Sequence, residues 1–130
     1  MVKNLGMIWV ELRFRGRSSV LEMPSGGRPL FIGSGLCSDL RIDCKFVAMV
    51  HLELVRSGDE VWLWVRGDGE VRSNAARVGE SCRLPERAVV EFSEHELEIL
   101  THTKSPPNFR RRTITEQFRE VPPVRRLLNP

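Results

Sequence analysis

The sequence predicts an all-β domain, an antiparallel sandwich or small barrel, followed by a basic, largely irregular tail. Three observations lead there. Short apolar-rich runs recur between clusters of Gly, Pro, Ser and Asp. Several of these runs alternate apolar and polar residues with period two. No stretch of residues 1–103 carries a convincing 3.6-residue helical period.

The elements follow in order. From Met7 to Phe14, Ile8, Val10, Leu12 and Phe14 share one face, with Trp9, Glu11 and Arg13 on the other. That is the mark of a half-buried strand. The polar turn Arg15-Gly16-Arg17-Ser18 leads to a second strand, Val20 to Met23. Pro24-Ser25-Gly26-Gly27 is a loop by turn chemistry. Strands are then expected at Leu30–Ile32, Leu40–Ile42 and His51–Val55, with Ser57-Gly58-Asp59 as a hairpin connection. In the next strand, Glu60–Val65, the side chains of Val61, Leu63 and Val65 face one way and those of Trp62 and Trp64 the other. At least one Trp is expected to fill the core; the alternative is an aromatic patch for a partner. Gly67-Asp68-Gly69 breaks the chain, and Val71 and Arg77-Val78 give weak strand signals. Ala88–Phe92 and Glu96–Thr101 close the body around Ser93-Glu94-His95. Ile8, Val10, Leu12, Leu40, Ile42, Leu52, Leu54 and Ile99 are the expected core.

One domain, residues 1–103, and a tail, residues 104–130, account for the 130 residues. The body is long enough to bury a core without disulfides or metal. No apolar run is long enough to span a bilayer, and the first residues lack the pattern of a secretion signal. Cys37, Cys44 and Cys82 are odd in number and show no Cys-x-x-Cys spacing, so free thiols and a cytoplasmic setting are expected. Zinc would need them to converge with His51, His95 or His102, which the spacing does not suggest; no metal or cofactor is expected. Membrane attachment would need a segment outside this chain. The charge is split: residues 1–103 have a net charge of −2 and residues 104–130 of +5. A globular nucleic-acid binder has a basic body, so the split argues against one.

The tail opens on Lys104-Ser105-Pro106-Pro107, a linker by its prolines. Thr113-Ile114-Thr115-Glu116 has the form of a capping box. It would start a short helix over 114–121, with Ile114, Phe118 and Val121 on one face, stopped by Pro122-Pro123. Thr113 and Thr115 follow three arginines and are candidate phosphorylation sites. The tail's charge and this apolar face would let residues 109–121 dock on a sheet face or edge, in cis or trans, with Phe109 or Phe118 as anchor.

The most telling stretch is Phe31 to Leu54. A strand ends in Gly33-Ser34, a loop leads to Asp39-Leu40-Arg41-Ile42, and Ala48-Met49-Val50-His51 opens the next strand. This resembles the forkhead-associated (FHA) family, whose pattern is Gly-Arg, then Asp-Ile/Leu-x-Ile/Leu, then Ser-x-x-His. The resemblance covers roughly Val20 to Leu100 and implies an FHA-like antiparallel sandwich that binds phosphothreonine peptides. Periodicity alone leaves sandwich, small barrel and oligonucleotide-binding barrel open; the resemblance selects the first.

The match is one-sided. Gly33, Asp39 and His51 keep the family's structural positions, and His51 is expected to be partly buried and bonded to loop backbone. The phosphate-reading positions differ. Ser34 stands for the family's Arg and Ala48 for its Ser. Each such contact is a charge-assisted bond of about 1.5–3 kcal/mol. Losing two weakens binding by about two to four orders of magnitude. Asp68-Gly69-Glu70 replaces the family's Asn-Gly-Thr; Asp68 puts a carboxylate where an amide would donate. Asn74 is the alternative match if the loop register differs. Arg28, Arg41, Lys45, Arg66 and Arg72 lie near this loop end in sequence and could rebuild a phosphate site or be solvated surface charges. The candidate peptide- or phosphate-binding residues are therefore Ser34, Arg41, Lys45, Arg66, Asp68, Gly69 and Arg72.

No catalytic constellation is evident. Glu94, Glu96 and Glu98 alternate along one strand as a solvated face, and Gly33-Ser34-Gly35 has no helix after it to hold a phosphate. The expected function is a non-catalytic FHA-type protein-interaction module with weak or lost phosphothreonine recognition, in a signalling or secretion assembly. The alternatives are a phosphothreonine binder with a rearranged site, which could read the phosphorylated tail, and a nucleic-acid-binding small β-domain.

Overall fold

A computed structural model describes residues 6–104. Two sheets pack face to face. Eleven strands build them: β1 (Ile8–Phe14), β2 (Arg17–Met23), β3 (Leu30–Gly33), β4 (Leu40–Arg41), β5 (Leu52–Ser57), β6 (Glu60–Val65), β7 (Val71–Ser73), β8 (Ala76–Val78), β9 (Ser81–Arg83), β10 (Arg87–Phe92) and β11 (His95–His102). One sheet has six strands in the order β2-β1-β11-β10-β7-β8, the other five in the order β4-β3-β5-β6-β9. Among the described residues there is no helix.

Alternation places the core between the sheets. Ile8, Val10 and Leu12 of β1 face Leu52, Leu54, Val61 and Leu63 of the opposite sheet in one buried cluster. All eight expected core residues are buried. Phe92, Leu97 and Ile99 of the β10–β11 hairpin complete the six-stranded side. Each large side chain there is worth about 1.5–3 kcal/mol of apolar burial.

Tight turns set the register. Arg15 and Gly16 have φ of 54° and 78°, Asn74 and Ala75 of 50° and 69°, Ser93 and Glu94 of 48° and 65°. Two consecutive left-handed residues twist a two-residue turn in the sense of its strands. The first turn therefore spans only Arg15-Gly16, and β2 starts at Arg17, earlier than the polar composition of Arg17-Ser18 suggested. Asn74 fixes its turn from the side chain: its Oδ1 accepts from the Val89 N–H at 2.7 Å.

Other expectations are corrected. The sandwich is not wholly antiparallel, because β4 pairs with β3 in parallel. The loop between them reverses the chain twice, which two-residue alternation cannot report. Strand β9 was not foreseen; its three residues are too few to show a period, and it forms only against Trp62, Leu63 and Trp64. Neither Trp62 nor Trp64 enters the core. Both are half-buried on the outer face. There the Trp62 Nε1–H donates to Glu60 at 3.1 Å, and the Arg66 guanidinium lies 5.2 Å from the Trp64 ring. The expected 114–121 helix, the Thr113 and Thr115 sites and the Phe109 or Phe118 anchor lie outside the described residues.

Candidate functional site

The β3–β4, β4–β5 and β6–β7 loops meet at one end of the sandwich. Gly33 makes the junction possible. A Cβ there would stand 2.2 Å from the Met49 carbonyl oxygen and 2.7 Å from that of Ala48, so only glycine fits. The next two residues stitch the loops together: the Ser34 N–H donates to Ala48 O at 2.9 Å and the Gly35 N–H to Met49 O at 3.1 Å. Ser38 Oγ adds a bond to Met49 O at 3.3 Å.

Asp39 anchors the same loop from below. It is 2% exposed. It accepts from the Phe31 N–H at 2.8 Å and from both terminal nitrogens of Arg28, at 2.6 and 3.2 Å. A buried carboxylate needs such partners. Arg28 is thereby engaged within the scaffold.

His51 is the hub. It is 1% exposed, more deeply placed than the partial burial expected of it. Its Nδ1 accepts from the Ala48 N–H at 3.0 Å, so the neutral ring carries its proton on Nε2. Its backbone N–H donates to Ile32 O at 2.9 Å, and its carbonyl accepts from the Arg66 and Gly67 N–H groups at 2.8 and 3.1 Å. One residue thus joins β3, the β4–β5 loop and the β6–β7 loop. Gly67 lies against the ring, since a Cβ there would be 2.5 Å from Nδ1. Burial lowers the His51 pKa below its usual value; the carboxylate and backbone of Asp68 partly oppose this.

The positions that the resemblance assigns to phosphate are differently employed. Ser34 Oγ donates inward, to Val47 O at 2.8 Å, and its carbonyl accepts from Arg41 Nε at 3.0 Å. Ala48 offers no hydroxyl. Among the candidate cations, only Arg41 contacts Ser34; its terminal nitrogen reaches Asp43 at 4.0 Å. The Lys45 ammonium sits 5.2 Å from the Phe46 ring centroid. Arg66 turns to the outer sheet face and pairs with Glu53 at 2.8 Å. Arg72 pairs with Glu70 at 2.8 Å on the outer face of β7. Asp68 is exposed at the tip of its loop, and Gly69 has φ of 94°, which its turn requires. The structure therefore brings Ser34 and Arg41 together, keeps Lys45 on the adjoining loop, and turns Arg66 and Arg72 toward carboxylates.

Two features escaped sequence reasoning. Leu36, Phe46, Met49 and Val50 are exposed, all on these loops. The run Phe46 to Val50 has the composition of a strand, yet only Val47 points into the core. The signal lay in the missing alternation. The second feature is His95, whose ring packs between Phe14 at 5.7 Å and Phe92 at 6.1 Å. Phe92 in turn lies 5.1 Å from His51. Burial and the nearby Arg15 lower the His95 pKa, against a small opposite effect of Glu94. Among the described residues, no three His, Cys, Asp or Glu side chains stand together as a metal site would require.

No profile of a known protein family and no curated protein matches the chain. Solved structures do. An FHA domain of an Arabidopsis thaliana hypothetical protein superposes with a TM-score of 0.66 at 15% identity, over 84% of this chain and 97% of that one. The first FHA domain of Mycobacterium tuberculosis Rv1747 gives 0.63 at 16% identity, over 74% and 98%. A domain studied for phosphothreonine-dependent FHA interactions gives 0.62 at 22% identity, over 72% and 97%. The chain has the fold of the forkhead-associated domains.

Proposed function

We propose that this chain is a non-catalytic protein-interaction module of the FHA type, working through the loop end with weak or no dependence on phosphothreonine. The observation that carries the reading is the inward bond of Ser34 Oγ to Val47 O beside a bare Ala48. The loop frame around Gly33, Asp39 and His51 is in place, with the Asp39 carboxylate paired and His51 bonded through Nδ1 and its backbone. The groups that would grip the phosphate are an engaged hydroxyl and a methyl. Asp68 adds a carboxylate that repels phosphate, by roughly 1 kcal/mol at close range in water and more where water is excluded. Among the similar structures are an FHA domain complexed with the intracellular domain of another protein and Mycobacterium tuberculosis EmbR in complex with a low-affinity phosphopeptide. Partner binding by this chain, in a signalling or secretion assembly, is the matching expectation. The free thiols of Cys37, Cys44 and Cys82 suit a cytoplasmic setting.

One observation favours a second reading. Arg41 is half-exposed and touches Ser34, so Arg41 and Lys45 could hold a phosphate from the β4–β5 side. Calorimetry of the full chain against degenerate phosphothreonine and unphosphorylated peptide libraries separates the two. The first reading expects no preference for the phosphorylated library. Submicromolar, phosphate-dependent binding that falls on Arg41→Ala would establish the second.

A further inference from the structure

The loop end is an unusual surface for a domain with so few exposed apolar groups elsewhere. Leu36 is 86% exposed, Met49 73%, Phe46 70% and Val50 37%, and these are the exposed large apolar side chains among the described residues. They come from two loops that the Ser34, Gly35 and Ser38 bonds lock together. Ser93 Oγ, donating to Phe46 O at 3.0 Å, holds the second loop to the β10–β11 turn. The cluster is therefore pre-ordered, and binding to it costs little further chain entropy. Large apolar groups exposed together on adjoining, mutually bonded loops mark an interaction surface.

The charges around it indicate the occupant. Arg41 and Lys45 stand on β4 and the loop after it, while the exposed carboxylate of Asp68 stands on the β6–β7 loop. Asp43 offsets Arg41 within the same loop. These four charges sum to zero, and Lys45 and Asp68 stand on separate loops. A strongly acidic or basic partner finds no preference there. A second copy does: related by a two-fold axis through the apolar cluster, each copy can set Lys45 against the other's Asp68. We propose that the loop end is a self-association surface, with Phe46, Met49 and Leu36 packing between two copies of this chain. The proposal rests on the reading of the loop end as a protein-binding surface. A stable dimer buries about 800 Å² on each partner. Four side chains supply only the centre of such an area, so the dimer is weak and concentration-dependent.

Sedimentation equilibrium of the full chain tests this. The weight-average mass should rise toward the dimer across micromolar to millimolar concentrations. The variant F46D/M49D should stay monomeric at every concentration with an unchanged circular dichroism spectrum, because both side chains point into solvent. A charge exchange tests the symmetry. Asp68→Lys alone and Lys45→Asp alone should each associate less, and an equimolar mixture of the two should recover mixed dimers. A wild-type chain that is monomeric throughout overturns the proposal, as does association that persists in F46D/M49D. Recovery absent from the mixture overturns the two-fold arrangement. The function reading is judged separately by adding a phosphothreonine peptide library to the same cells. Tight phosphate-dependent binding beside an intact dimer would overturn that reading and leave the dimer standing. A monomer that ignores phosphate would do the reverse.

Discussion

The sandwich interior and the loop end are built on opposite terms. In the interior, every position is set by area and alternation. Val10, Leu52, Leu54, Leu63, Ala88, Val90, Leu97 and Ile99 are wholly buried, and any side chain of similar volume would serve at many of them. At the loop end, few atoms are apolar and buried, and the geometry is set by individual hydrogen bonds and close approaches. Gly33, Asp39 and His51 each have one permitted partner set. Interior changes should therefore cost in proportion to volume lost, and loop-end changes in steps.

The largest step is expected at Gly33. Gly33→Ala drives a methyl to 2.2 Å from a backbone carbonyl, and neither partner can move without breaking the β3–β4 and β4–β5 loops apart. Denaturant melts should show a loss of about 3 kcal/mol or more. In the interior, Leu63→Ala should cost about 2–5 kcal/mol through the cavity left behind. A Gly33→Ala protein as stable as wild type would mean that the loops are held by something other than this contact.

His51→Ala should come next, at about 1–3 kcal/mol, because it strands the Ala48 N–H and empties the space beside Phe92. Its signature should differ from that of Leu63→Ala. Hydrogen exchange should speed up selectively in residues 34–50 and 66–70, while β1, β10 and β11 keep their protection. Uniform acceleration would merge the two regions into one cooperative unit.

A gain of function sharpens the contrast further. Ser34→Arg with Ala48→Ser restores the two contacts that the family resemblance assigns to phosphate. On the existing scaffold the pair should raise phosphothreonine-peptide affinity by about a hundredfold or more. Some stability is lost with the Ser34 Oγ–Val47 bond, about 1 kcal/mol. No change in phosphopeptide affinity by calorimetry would show that the loops lack the family's geometry despite the shared fold.

The two regions also differ in how far the sequence reveals them. Alternation in Met7–Phe14 and Glu60–Val65 reports which faces are buried, because burial there depends only on residue type and period. The Gly33, Asp39 and His51 frame was legible through its motif spacing. Phe46, Met49 and Leu36 were not, since an exposed apolar loop residue has the same composition as a buried strand residue. In the second loop the carbonyls of Val47, Ala48 and Met49 turn inward to Ser34, Gly35 and Ser38, and the carbonyl of Phe46 accepts from Ser93, while the Phe46 and Met49 side chains stay exposed. Cations near one another in sequence were equally ambiguous. Arg28 reaches Asp39 and Arg66 reaches Glu53 only after strands distant in sequence have paired.

The smallest expected effect is on pH dependence between neutral and mildly acidic pH, and two histidines at the loop end carry it. His51 and His95 both have pKa values lowered from the usual 6.5, chiefly by burial. Lowered native values mean that the unfolded chain binds protons first. Their stabilising contribution is complete above pH 6.5, shrinks as pH falls below 6.5, and stops changing below the native pKa values. Thermal melts between neutral and mildly acidic pH should therefore show a decline in Tm for the wild type, and a shallower one for His51→Gln. Asp68 works in the other direction, since its carboxylate favours the protonated ring. Asp68→Asn should lower the native His51 pKa further and extend the decline to lower pH. Nuclear magnetic resonance titration of the ring protons reads the same quantity directly. A His51 that titrates above 6.5, or a wild-type Tm independent of pH in this window, would break the link between its burial and the order of the loops.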